Sequence, residues 1–395
     1  MGVERMGNVA EARRRAQRRL PRAVFDYIDG DAEDGVTRRR NSEDYDAITF
    51  QPRIGNKVAD PALETELFGA RVGLPVLLAP CGLTRLVHPD GTAGIARAAA
   101  SRATILAVST ITGDSPEEVA GASSAPKWFQ LYAPGGFGAA AEALVERARL
   151  AGYEALVVTM DTAALGNRER DARNGIQLGG KPGAAALAKL LAQVAVKPGW
   201  SLSMAAPGAE FVKAAKSGGT VAARAGVVGI SGSPFSWADV AAIRRSWPRP
   251  LVVKGVMTVD DARRGVDAGA DGIVVSNHGG RQLDGSPPTP RVLPAVADAV
   301  GGSTVVMADS GLRRGTQVVK ALAMGARAVL VGRAYLYGFA AGGQAGVERV
   351  LDIFRAEITR TLTLLGCPSV ADLDRGWLEL GWLDPDRRSA RGAPA

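Results

Sequence analysis

The chain has 395 residues, 46% hydrophobic but only 5% aromatic, with 49 glycines. That composition excludes a disordered, collagenous or coiled-coil protein and supplies a core for one large barrel or two ordinary domains. Two cysteines and two histidines exclude a disulfide scaffold, a cysteine-built zinc site and a polyhistidine centre, and the +8 net charge reads as an Arg-rich surface plus a few site arginines, since no basic run interleaves with aromatics.

Residues 1–60 form an N-terminal helical extension. Its first stretch predicts a helix with Arg13–Arg15, Arg18 and Arg19 on the solvated side. This stretch is charged throughout and lacks the apolar core of a signal peptide, and no run of 18 apolar residues follows. A soluble, cytoplasmic protein is therefore expected, with no nucleic-acid or membrane partner.

Eight short apolar runs come next: Leu74–Pro80, Thr104–Thr110, Lys127–Tyr132, Ala155–Asp161, Pro250–Gly255, Gly272–Asn277, Thr304–Asp309 and Ala328–Gly332. Near-continuous apolar strands are buried on both faces, as in parallel sheets. Helical patterns follow them at Gly91–Ala100, Pro116–Ala122, Phe137–Ala151, Trp237–Ser246, Val259–Ala268, Arg291–Ala299, Thr316–Met324 and Gly346–Leu365. Eight strand–helix units predict a (β/α)8 TIM barrel, one domain over residues 1–395. A doubly wound sheet is the alternative, but Ala79-Pro80-Cys81-Gly82 is no dinucleotide turn. Residues 174–236, after the fourth strand, are too long for a simple loop. On a barrel this insert overhangs the C-terminal mouth, as a lid or a disordered loop. Its stretch Ala184–Val194 has helical spacing near Lys181, Lys189 and Lys197. A helix packed on the barrel is expected, with weak membrane or partner contact as the alternative.

Catalytic groups of a barrel sit at the C-terminal ends of its strands. Here those ends carry Gln130 and Tyr132; Thr159 and Asp161, leading to Arg168; Lys254; Ser276, His278 and Arg281; Asp309, Gly311 and Arg313; and Gly332 and Arg333. The last two loops, with two glycines and two arginines, suit a phosphate. Lys254 lies inside an apolar run, so a fixed anion or an electron-rich ring must offset its burial; a structural ion pair to a barrel carboxylate is the alternative. Arg168 and Arg281 suit a carboxylate held from two sides, with His278 as general base and Asp161 as its partner. A core role for His278 is the alternative. His88, in a turn opening a helix, is read as structural.

These residues resemble the FMN-dependent α-hydroxy-acid oxidases and dehydrogenases. The resemblance spans roughly residues 10–370 apart from the insert. It rests on Ser276-Asn277-His278-Gly279-Gly280-Arg281-Gln282-Leu283-Asp284, Val253-Lys254-Gly255-Val256, Phe129-Gln130-Leu131-Tyr132, Phe25-Asp26-Tyr27 and Ala32-Glu33-Asp34. It implies FMN held by Ala79, Pro80, Cys81, Gly82, Ser109, Gln130, Thr159, Lys254, Ser276, Asp309, Gly311, Arg313, Gly332 and Arg333. Tyr27, Arg168 and Arg281 would clamp the substrate carboxylate, and Tyr132 would bond its hydroxyl. The implied reaction oxidises a 2-hydroxy acid to the 2-oxo acid; His278 takes a proton, and electrons reach the flavin as a hydride or through a carbanion. The acceptor that re-oxidises the flavin, oxygen or a quinone or a protein, stays open, and a homotetramer or larger assembly is implied.

Two departures bear on the pocket. Gly82 stands where most members have alanine, which is expected to free space beside the flavin. Ile111 replaces a common aromatic, which is expected to widen the substrate pocket. A mycofactocin-type branch acting on a peptide-derived amine is one alternative. A non-redox phosphate-binding isomerase or synthase is another, and a basic nucleic-acid or membrane binder a third.

Overall fold

The computed structural model describes residues 2–132, 135–174, 184–205 and 235–380. Eight parallel strands close into a barrel: β1 (Val76–Leu78), β2 (Leu106–Ser109), β3 (Lys127–Leu131), β4 (Ala155–Thr159), β5 (Leu251–Val256), β6 (Gly272–Val275), β7 (Val305–Ala308) and β8 (Ala328–Val331). Each strand pairs with the next in the chain, and β8 closes on β1 with Val329 opposite Val76. Seven fall inside the apolar runs of the sequence, and β5 extends one residue beyond its run, to Val256.

Alternation along the strands separates two cores. Leu77, Ala107, Trp128, Val157, Val252, Val274, Met307 and Leu330 pack together as a cluster of their own. Their neighbours on the other face join the larger cluster with the surrounding helices. Two residues beyond that inner layer, on the same side, come Ala79, Ser109, Gln130, Thr159, Lys254, Ser276, Asp309 and Gly332. The period of two thus delivers the sequence-identified polar set to the C-terminal mouth. The opposite mouth is stoppered by a hairpin, Thr65–Leu67 with Ala70–Val72, whose Phe68 ring lies 5.6 Å from that of Trp128.

Helices occupy all eight positions read from the sequence, with one difference. The last runs from Arg333, not Gly346, and is two helices joined at a kink where Gly343 has φ 58°. A Cβ there would strike Asp90 and His88, so the left-handed glycine is required.

Three helices precede the barrel: α1 (Val9–Arg19), α2 (Arg22–Asp29) and α3 (Val36–Ala47). Arg13, expected on the solvated side, is only half-exposed, because its guanidinium grips Asp29 through bonds of 2.6 and 2.8 Å. Asp29 is fully buried and also meets Arg38, Arg170 and the Tyr337 hydroxyl. The start of α3 is capped by Asp284, whose carboxylate accepts from the Val36 and Thr37 amides. This helix presses on the mouth of the barrel. A Cβ on Gly280 or Gly311, both at positive φ, would lie 2.6 Å from Arg38 N or 2.5 Å from Asn41 O.

Of the insert, helix Ala184–Ala195 packs on α2 rather than on the barrel wall. Gln193 accepts from the Ala23 amide at 2.7 Å and Lys189 donates to the Arg173 carbonyl at 2.8 Å. A second helical stretch, 198–205, places Trp200 Nε1 3.2 Å from the Leu86 carbonyl. Lys181 and the rest of the insert lie outside the described residues.

Candidate active site

The loop after β6 is built around three successive left-handed residues, His278, Gly279 and Gly280, at φ 57°, 68° and 71°. A histidine in that region is strained, and the ring is held from both ends. Ser276 Oγ accepts from the His278 amide at 3.1 Å, and Nδ1 lies 3.1 and 3.2 Å from the two Asp161 oxygens. Nδ1–H facing Asp161 leaves Nε2 as the basic atom. Burial lowers the proton affinity of His278, with Lys254 adding to the effect and Asp161 opposing it. His278 is therefore neutral near pH 7. Burial alone would raise Asp161, but His278 and Lys254 outweigh it and keep it ionised.

One cleft gathers most of the sequence-identified set. His278, Tyr27, Tyr132, Arg168 and Arg281 line one side; Ala79, Pro80, Cys81 and Gly82 line another. Lys254, Asp309, Gly311, Arg313, Gly332 and Arg333 complete it. Asp161 stands behind His278. Ser109, Gln130, Thr159 and Ser276 form the buried floor, where Ser109 donates to Gln130 Oε1 at 2.8 Å.

Lys254 Nζ lies 3.1 Å from Asp309 and donates to Ser276 at 2.8 Å. Burial works against its charge, yet Asp309 and Asp161 prevail and hold the proton. Lys254 thus makes the ion pair of the alternative reading while also lining the cleft. Arg168 and Arg281 find only uncharged acceptors. Arg168 donates to Arg281 O at 3.4 Å and to Gln282 Oε1 at 3.1 Å, and Arg281 donates to Gly30 O at 2.8 Å while lying over the Tyr27 ring. Burial, then the Arg281 charge, lowers Arg168 to about 10. Two half-buried guanidiniums without direct counter-ions make a site for an anion. A second anion site lies where Arg38, Ser42, Gly279, Gly311, Arg313 and Arg333 converge. There burial, with Arg281 adding, lowers Arg333 to about 9.

A family model described as FMN-dependent dehydrogenase matches residues 16–380. The chain belongs to the FMN-dependent dehydrogenase family. Its members include an L-lactate dehydrogenase of Stenotrophomonas maltophilia (strain R551-3), 43% identical over 91% of this chain and 95% of that one. Another, from Pseudomonas putida, is 42% identical over 93% and 97%. Among solved structures, a monotopic membrane protein, (S)-mandelate dehydrogenase, superposes with a TM-score of 0.82 at 34% identity, covering 95% of this chain and 99% of that one. A mandelate oxidase bound to (S)-2-phenylpropionate gives 0.78 at 35% identity over 95% and 98%. Membership makes the protein an FMN-dependent enzyme that oxidises 2-hydroxy acids, and the isomerase or synthase alternative falls.

The residues present fit the family's cofactor. Three buried polar atoms around the floor and the second anion site, Gln130 Nε2, Thr159 Oγ1 and Arg333 Nε, have no hydrogen-bond partner in the protein. Such orphans are costly unless a ligand satisfies them. An isoalloxazine ring over the floor with its phosphate among Arg313, Arg333 and Gly311 would do so.

One expectation about the family pocket is corrected. The space freed by Gly82 is not empty: a Cβ there would lie 2.5 Å from Ile111 Cδ1 and 2.7 Å from Cγ1. Ile111 fills the gap, so the two departures form one packed pair. His88 is structural, as expected: its ring packs 5.3 Å from Phe339 and its Nδ1 accepts from the Asp90 amide. Sequence reasoning missed Asn41, which exchanges amide hydrogen bonds with Asn277 at 2.9 and 2.8 Å. It also missed Gln282, which ties Arg168 to the Asp161 and Ala164 carbonyls. The Gln282 signal was available in the His278–Asp284 motif; Asn41 had none.

Proposed function

We propose that the enzyme oxidises the S form of a 2-hydroxy monocarboxylic acid, with His278 as base and Arg168, Arg281 and Tyr27 as the carboxylate clamp. The observation that carries this is a neutral imidazole, oriented by Asp161, beside two guanidiniums that lack a direct counter-ion. The paired arginines hold the substrate carboxylate from two sides. Nε2 of His278 takes the substrate proton, and Asp161 stabilises the imidazolium that results. Burial keeps the Tyr132 phenol protonated, so it donates to the substrate hydroxyl oxygen and fixes its angle. Bound FMN would supply the two-electron acceptor, and Lys254, in the lining of the cleft, would supply positive charge to it. Preference for the S form follows from relatives named for L-lactate and (S)-mandelate. Anaerobic bleaching of the flavin by each enantiomer of lactate and mandelate tests it; reduction by the R forms alone, or by none, refutes it.

The insert supports a second element. Leu191, Val196 and Leu202 are 59%, 73% and 78% exposed, in a segment that also carries Lys189 and Lys197. No described helix is long and apolar enough to cross a membrane, so the contact proposed is with the surface of an acidic bilayer, and a quinone is the proposed acceptor. Salt-sensitive sedimentation with acidic vesicles, lost in Leu191→Glu/Leu202→Glu, tests it; sedimentation unchanged by those substitutions refutes it.

A further inference from the structure

Asp171 lies in the short helix Glu169–Arg173 that follows Arg168. It is 5% exposed, and neither carboxylate oxygen receives a hydrogen bond. A buried carboxylate without a donor is rare and costly, and nothing in the proposed mechanism uses it. The groups that face it come from three places. The charges of Arg281 on the β6 loop and of Arg168 in the turn before its own helix act on it, as do Asp26 and Tyr27 on α2. On its own helix, Arg170 is turned to Asp29 and Asp31, while Arg173 pairs with Glu169. Asn174 holds Asp26 through a 2.8 Å hydrogen bond.

The charges of this corner do not close without Asp171. Lys254 is matched by Asp309, and His278 is held by Asp161. That leaves two guanidiniums, and a monocarboxylate substrate brings one negative charge. We propose that Asp171 is a proton-linked positioning residue: it is the counter-ion of Arg168 and Arg281 in the free enzyme and takes up a proton when a substrate carboxylate enters the clamp. The inference rests on the clamp reading above. Burial pushes the Asp171 carboxyl up, Arg281 and Arg168 pull it down, and Asp26 adds to the push. An entering carboxylate engages both arginines and sets a new negative charge nearby. What held Asp171 ionised is then spent, so binding draws a proton from solvent.

The sign follows from linkage. A group whose proton affinity rises on binding makes the ligand bind more tightly at low pH. Affinity falls by up to about tenfold per pH unit between the free and bound titrations of Asp171, and is flat outside that window. His278 lies in the same cleft, so the measurement is made on FMN-loaded His278→Gln enzyme, which removes the cleft's imidazole. Pyruvate, a monoanion from about pH 5 to 9, is the probe, and perturbation of the flavin spectrum reads its Kd. We expect a sloped segment in the Asp171 parent that is flat in Asp171→Asn, with tighter binding by the variant at the alkaline end. Calorimetry of the parent in two buffers of different ionisation enthalpy reads proton uptake directly and needs no change at Asp171. A flat parent profile, no uptake, or a slope that survives Asp171→Asn overturns the proposal while pyruvate still binds. Absence of pyruvate binding by wild-type holoenzyme at every pH overturns the clamp reading and this proposal with it.

Discussion

Gly82→Ala is the most direct probe of how the pocket is packed. The added methyl would lie 2.5 Å from Ile111 Cδ1 and 2.7 Å from Cγ1, and 3.3 Å from the Ile111 carbonyl. Carbon contacts are optimal near ~3.5–4.0 Å, so overlaps of roughly an ångström must be relieved by moving Ile111. Overpacking of this kind costs about 1–3 kcal/mol. Ile111→Ala removes both offending carbons, at about 2 kcal/mol or less for a half-buried isoleucine. In the double variant the new methyl occupies the space they leave, so the two costs should not add. The expected coupling is about 1–3 kcal/mol in favour of the double variant. The assay is a double-mutant cycle from melts at one fixed, saturating FMN concentration, because cofactor binding itself shifts the midpoint. Additivity within about 0.5 kcal/mol would mean that Ile111 does not fill the place of a side chain at residue 82.

Three further outcomes are expected. His278→Gln slows anaerobic flavin reduction by about 10²–10⁴-fold with FMN retained, whereas His88→Gln leaves reduction intact and changes stability at most; the reverse pattern in stopped-flow traces would move the site. Arg168→Lys keeps the charge but loses the planar fork, weakening a bound hydroxy acid by about 1.5–3 kcal/mol, and an unchanged Kd would remove Arg168 from the clamp. Asp29 is held well below the usual carboxylate range, because Arg13, Arg38 and Tyr337 outweigh its burial. A depressed carboxyl stabilises the fold above its unfolded value of about 4, and that stability drains as pH falls below about 5. Asp29→Asn should cost about 3–5 kcal/mol at pH 7 and lose this acid-side slope, read by denaturant unfolding across pH.

The barrel was legible because its strands are buried on both faces. Val252–Val253 or Ile273–Val274 can be little else, and the helical spacing between them fixes the alternation. The mouth was legible because polar residues such as Lys254 and Asp309 interrupt apolar runs at the strand ends. The hairpin at 65–72 was not, since two strands of three residues carry no period. The start of the last helix hid behind Gly342 and Gly343, which read as a loop and turned out to be a kink. Asp171 sits in a run of alternating charge and Arg13 in a basic run, and both patterns read as a solvated face. Arg13 is drawn in by Asp29 on the next helix, and Asp171 is buried where its short helix packs on α2, far away in the chain. The packing at Gly82 is hidden for a related reason, since an absent side chain reveals space but not what fills it.

The carbonyl of Gly30 accepts from Arg281 at 2.8 Å and from Arg333 at 2.6 Å, residues 251 and 303 positions later. This single oxygen ties the opening helices to two residues late in the chain. Closing a loop of that length carries an entropic penalty that only later contacts repay. While the ribosome is still making the seventh and eighth strands, α2 and α3 can meet one another and the β6 loop but not Arg333 or Tyr337, so the cluster around the buried Asp29 is incomplete. The pocket for the cofactor is therefore among the last parts of the molecule to form. The opening helices act as a latch, drawn shut once the whole barrel has emerged.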